Sequence, residues 1–154
     1  GRGSCHVIHT ANGRFTLIDE SYNASPVSMK AAIKVLGETK PGNGGRRIAV
    51  LGDMLELGQR SARLHAGLAH LLEKESIDLV FTAGDQMAHL AKVIDPAMRA
   101  GHAENISTLE AMVLSEIKSG DVVVVKGSAG SNTGTIVQAF IALNKKYSNS
   151  GHSK

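Results

Sequence analysis

Two hydrophobic periods alternate along the chain. Short, nearly continuous apolar runs occur at Phe15–Asp19, Arg47–Leu51, Leu79–Thr82 and Val122–Val125. They are rich in β-branched residues and apolar at successive positions, which predicts strands covered on both faces. Between them, apolar residues recur at helical spacing. Met29, Ile33 and Leu36 form one set, and Leu64, Leu68, Leu71 and Leu72 a second. Met87, Leu90, Ala91 and Ile94 form a third, Leu109, Met112, Val113 and Ile117 a fourth, and Ile136, Val137, Phe140 and Leu143 a fifth. Each predicts an amphipathic helix. Ser25-Pro26 reads as N-cap and first-turn proline, and Gly37 as the stop of that helix. A shorter strand pattern, His6–His9, precedes the Asn12-Gly13 turn signal. Residues 37–45 read as a mobile surface loop, and the polar stretch from Asn144 as a tail leaving the last helix.

Strand–helix alternation implies an α/β fold: a three-layer domain with a mainly parallel sheet and helices on both faces. The 154 residues suit one domain with its own core. Cys5 is the one cysteine. It cannot form an internal bridge, which favours a reducing, cytoplasmic setting. No apolar run reaches the ~18 residues of a membrane helix. The formal charge of +3 is scattered along the chain and aromatics make up 3%. Nucleic-acid binding is therefore disfavoured, for lack of both a basic run and stacking rings.

In an open parallel sheet, ligands meet the loops at the carboxyl ends of the strands. Three such loops are unusually polar: residues 19–26, 52–58 and 126–134. Asp19 and Glu20 can accept helix N–H groups, or can accept hydrogen bonds from ribose hydroxyls. Tyr22 can close the core edge or pack on a base, and Asn23 can support its turn. Lys126, followed by Gly127 and Ser128, offers a cation and accessible N–H donors suited to phosphate or carboxylate. A plain flexible turn is the alternative. The Lys126 ammonium is expected to snorkel to the sheet edge. The loop closes with no Gly-Lys-Ser/Thr and holds neither Gly-x-Gly-x-x-Gly nor Gly-x-Ser-x-Gly. His65 and His70 are five apart and do not share a helix face as metal ligands do; His65 reads as a polar helix edge. Cys5 has no evident base beside it and reads as inert.

The segments LIDESYNASPVSMKAAIKVL, RRIAVLGDMLELG, LHAGLA and VVVVKGSAGSNTGTIVQAF, in that order and spacing, resemble the C-terminal domain of the Mur ligases. Within that family they are similar to the members that add D-alanyl-D-alanine to UDP-N-acetylmuramoyl-tripeptide. The resemblance implies residues 1–13 as an interdomain junction and first short strand, 14–146 as the Rossmann-like domain, and 147–154 as a disordered tail. It implies an ATP- and Mg2+-dependent ligation through an acyl phosphate, in the cytoplasm, with cofactors held mainly by a central domain of the same protein. It places Arg2, Asp19, Glu20, Tyr22 and Asn23 at the nucleotide, and Asp53, Lys126, Gly127 and Ser128 at the substrate. It assigns this domain alone no catalytic residue and no metal ligand, so the isolated chain should be inactive. Glu20 stands where aspartate is usual, Ser25 where asparagine is usual, and Asn132 and Thr133 where arginine and methionine are commoner. Two alternatives remain: a non-catalytic Rossmann-like module binding phosphate, nucleotide or a protein, and a Mur-type ligase with another amino-acid substrate.

Overall fold

A computed structural model describes residues 4–152. In chain order, β1 (Ser4–Thr10) and β2 (Gly13–Glu20) are followed by α1 (Pro26–Glu38), β3 (Arg47–Gly52), α2 (Ser61–Ala66) and α3 (Leu68–Lys74). Then come β4 (Leu79–Ala83), α4 (Ala88–Val93), β5 (Arg99–Ala103), α5 (Ile106–Glu116), β6 (Val122–Lys126) and α6 (Gly134–His152). The six strands form one sheet in the order β1-β2-β6-β3-β4-β5. β1 runs antiparallel to β2 through the Asn12-Gly13 turn, and every other pairing is parallel.

Side chains alternate across the sheet and fill two separate cores. Ile18, Ala49, Leu51, Val80, Val122 and Val124 pack with α1, α3 and α4 through Met29, Ile33, Leu36, Leu68, Leu72 and Leu90. Leu17, Ile48, Val50, Phe81, Val123 and Val125 face α5 and α6 through Leu109, Val113, Ile136, Val137 and Phe140. β6 lies between β2 and β3, and all four of its valines are buried, as an unbroken apolar run requires of an interior parallel strand. Phe15 meets Phe140 edge-to-face at 5.1 Å, fastening β2 to α6.

Helix α1 begins as its sequence predicts. Ser25 Oγ accepts the Ser28 amide at 3.1 Å, while Ser28 Oγ accepts the Ser25 amide at 2.8 Å, a reciprocal capping box with Pro26 in the first turn. Several expectations change. Gly37 lies inside the last turn of α1, and Thr39 caps it by donating its amide to Leu36 O. The second helical period is two short helices with Gly67 between them. The segment after α1 is tied down: Gly42 N donates to Gly120 O at 2.8 Å, and Arg46 is gripped by Asp121. α6 continues through the polar residues after Asn144 to His152, where a departing tail was expected. β5 was not anticipated at all. Its sequence, RAGHA, has little apolar content because it is a half-exposed edge strand.

Among the described residues, no helix is long and apolar enough to cross a membrane.

Candidate functional site

The faces taken by the helices define where a crevice forms. The chain leaves β2, β3 and β4 toward one face, through α1, α2 and α4, but leaves β6 toward the other, through α6. The loop after β6 therefore parts from the loops on either side of it at the carboxyl edge. Such a divergence opens a crevice for ligands.

Strand register brings two of the expected residues together there. Glu20 is the last residue of β2 and Lys126 the last of β6, and they are direct partners in the parallel ladder. Both side chains lie on the α1 face, and Lys126 Nζ stands 3.5 Å from Glu20 Oε2. Lys126 is buried rather than snorkelling: its side chain is 4% exposed and that of Glu20 13%. The position requires this, because Val122, Val124 and Lys126 share one face of an interior strand under α1. The separation exceeds the ~2.7–2.9 Å of a tight charge-assisted hydrogen bond, so each partner retains capacity for another group. Above the pair is a cleft of about 390 Å3, lined by Tyr22, Asn23, Ser28, Ala32 and Val35 as well as Glu20 and Lys126. It has an ion pair at its base, an aliphatic wall from α1 and a tyrosine ring, 79% exposed, at its mouth. An apolar flank beside a carboxylate and an ammonium suits a flat polar ligand bearing hydroxyls and an anionic group.

The other expected residues divide. Asp19 points to the opposite face from Glu20, and its Oδ1 accepts the Ser21 amide at 2.9 Å and the Ser21 hydroxyl at 2.6 Å. It shapes the turn after β2 and stands apart from the Glu20 cleft. Asn23 Oδ1 accepts the Ala24 amide at 2.8 Å, the turn-supporting role. Asp53 is bound by backbone: Oδ1 accepts Met87 N at 2.8 Å and Oδ2 accepts Gln86 N at 3.3 Å. Its carboxylate thus caps the approach to α4, and Asp53 also lines a second cleft at this edge with Leu55, Gly84 and Asn105. Gly84, at φ +108°, makes room for that carboxylate, since a Cβ there would strike it. Gly127 is buried and leaves space for Ser131 and Thr133. Ser128 donates its amide to Asp53 O at 3.2 Å. The hydroxyls of Ser128 and Thr133 are buried with no hydrogen-bond partner among the described residues. Arg2 lies outside the described residues.

His65 and Thr133 were missed as candidates. His65 is fully buried and takes the Met54 amide, where a polar helix edge was expected. Among the described residues, no group of three or more His, Cys, Asp or Glu side chains could hold a metal ion. Among the described residues no such cluster is offered to Mg2+, whereas the cleft over Glu20 and Lys126 presents a carboxylate, an ammonium and an apolar wall.

Comparison with known proteins agrees with this architecture. Residues 5–129 match the family described as Mur ligase, glutamate ligase domain. The UDP-N-acetylmuramoyl-tripeptide–D-alanyl-D-alanine ligase of Bacillus subtilis (strain 168) is 36% identical over 139 residues, covering 88% of this chain and 30% of that protein. The enzyme of the same name from Escherichia coli (strain K12) is 30% identical over 124 residues, covering 80% of this chain and 26% of its own length. The chain thus spans under a third of these curated relatives. A crystal structure of the MurF ligase from Thermotoga maritima in complex with ADP superposes with a TM-score of 0.72 at 24% identity, over 95% of this chain and 32% of that one. The chain belongs to the Mur ligase family and carries the fold of its C-terminal, glutamate ligase domain.

Proposed function

We propose that this chain is the C-terminal domain of a cytoplasmic, ATP- and Mg2+-dependent ligase that joins D-alanyl-D-alanine to UDP-N-acetylmuramoyl-tripeptide in peptidoglycan synthesis. The observation that carries the reading is the Glu20–Lys126 pair under its cleft, at the divergence of the β2 and β6 loops. In the intact protein, the tripeptide carboxylate would be activated as an acyl phosphate on a central domain, which would hold the metal and most of the triphosphate. The described residues here form no metal cluster. This domain's part is to complete the pocket and exclude water as it closes over that centre.

Within that reading, Glu20 accepts from ribose hydroxyls, and Tyr22 and Asn23 border the base. Lys126 offers its ammonium to an incoming phosphate or carboxylate. Gly127 allows the loop backbone close to the ligand, and the Ser128 hydroxyl, unpartnered in the free domain, takes up a substrate acceptor. Asp53 and Asp19 hold the loops that carry these groups.

The test is kinetic and uses the intact ligase. Lys126→Ala is a poor probe, because it would strand the nearly buried Glu20 carboxylate. Lys126→Met keeps the length of the side chain, and pairing it with Glu20→Gln removes both charges together. The double variant is expected to fold and to lose about ten- to hundredfold in kcat/KM, as loss of charge-assisted contacts predicts. Unchanged ligation kinetics in a folded double variant would reduce the pair to a structural tie and favour a non-catalytic module.

A further inference from the structure

His65 stands in a closed ring of hydrogen bonds that joins the loops after β3 and β4 to helix α2. Its Nε2 accepts the Met54 amide at 3.0 Å, so that nitrogen carries no proton. Its Nδ1 must then be the protonated nitrogen and donates to Ser61 O at 2.8 Å. The Ser61 hydroxyl donates to Gln86 Oε1 at 2.6 Å. The Gln86 amide returns to the Asp53 carboxylate, and Asp53 is bonded covalently to Met54. Asp53 O then accepts the Ser128 amide at 3.2 Å, so the ring reaches the loop after β6 as well.

A buried histidine can be no more than a satisfied core group. Two observations argue for more. The acceptor nitrogen of His65 serves another loop's backbone rather than its own helix, and that loop is the one adjoining the crevice. Every link of the ring lies at the carboxyl edge, and it ends on the amide of the residue whose hydroxyl lies unpartnered in the free domain. We infer that His65 is a positioning residue: through Met54 and Asp53 it sets the placement of Ser128, and with it the affinity for the incoming dipeptide. The inference rests on the substrate role proposed above for the Lys126–Ser128 loop.

The tautomer makes the idea testable with two substitutions. His65→Gln can still offer an oxygen near the Nε2 position, while His65→Leu keeps bulk and removes both hydrogen bonds. In the 15N-labelled chain, His65→Leu is expected to shift the amide signals of Gln86, Met87 and Ser128 as well as that of Met54, and His65→Gln to shift the same set by less. In the intact ligase, His65→Leu is expected to raise KM for D-alanyl-D-alanine about tenfold while KM for ATP stays within about twofold, and His65→Gln to restore most of the difference. A purely structural histidine would lower the amount of active enzyme, reducing kcat with both KM values unchanged. That result, or amide shifts confined to Met54 and α2, overturns the inference. Should His65→Leu not fold, the His65→Gln spectrum decides. Ser128→Ala separates this idea from its premise. If Ser128→Ala leaves the dipeptide KM unchanged, the substrate role of the loop fails, while the spectrum still decides whether His65 governs it.

Discussion

At the scale of single residues, the strongest electrostatic device lies at the opposite edge of the sheet from the crevice. Asp121 is buried just before β6 and accepts the Arg46 amide at 3.0 Å, Arg46 Nη2 at 2.9 Å and the Lys118 amide at 2.7 Å. Arg46 also reaches Glu116 at 2.7 Å, but that carboxylate is 42% exposed. The Asp121 hydrogen bond above all raises the pKa of the Arg46 guanidinium, against the opposing pull of burial, so the guanidinium stays charged as pH rises. Two substitutions should therefore differ sharply. Asp121→Ala leaves the amides of Arg46 and Lys118 without their acceptor and the guanidinium held by Glu116 alone, and is expected to cost about 3 kcal/mol in urea unfolding of this chain. Glu116→Ala removes a partner that water can replace, and is expected to cost under about 1 kcal/mol. Equal costs for the two would mean that burial does not decide the worth of this cluster.

At the scale of elements, α1 both starts the domain's first crossover and walls the cleft, so its capping bears on both. Ser25→Ala breaks one arm of the capping box and is expected to lower stability by ~1 kcal/mol, whereas Ser25→Asn, another good N-cap, should be near neutral. Thermal unfolding of the two variants checks this, and a neutral Ser25→Ala would show that Pro26 and helix packing alone secure the start. Elements whose signal is local were legible in the sequence: the valine run of β6, the cap of α1 and the helical periods of α4 and α5. β5 was not, because an edge strand exposed on one side needs little apolar content. The site divides in the same way. Glu20 and Lys126 were each recognisable as unusual groups at strand ends, but their meeting depends on β2 pairing directly with β6, more than a hundred residues later. Asp53 was placed at the substrate by resemblance alone, and nothing local reveals that its carboxylate also accepts the amides of Gln86 and Met87. His65 looked like a helix edge because its partner, Met54, belongs to another loop.

At the scale of the molecule, the domain is closed on one side and open on the other. The amino edge of the sheet is sealed by the Arg46–Asp121 cluster and by Gly42 against Gly120. The carboxyl edge leaves Tyr22, Val27 and Leu55 exposed around the loops after β2 and β3. The cleft there has one built wall, that of α1, and its tyrosine rim faces solvent. A nucleotide placed in it would meet Glu20, Lys126 and Tyr22, but no Gly-Lys-Ser/Thr phosphate loop occurs anywhere in this sequence. Such a loop supplies most of the hold on the β- and γ-phosphates in the enzymes that carry it. The chain by itself is therefore expected to release no phosphate from ATP, with or without UDP-N-acetylmuramoyl-tripeptide and D-alanyl-D-alanine. Titration calorimetry of the chain with ATP should give a dissociation constant no tighter than about millimolar, the range expected when a ligand meets a few contacts in a half-open cleft. The Glu20→Gln, Lys126→Met double variant, which strands neither charge, should leave that weak binding nearly unchanged, since contacts in a half-open cleft contribute little until closure excludes water around them. In the proposed intact ligase the same pair of substitutions should be costly, because closure completes the low-dielectric surroundings. Micromolar ATP binding by the chain alone, or phosphate release from it, would show that the cleft over Glu20 and Lys126 is a complete nucleotide site rather than one wall of a shared one.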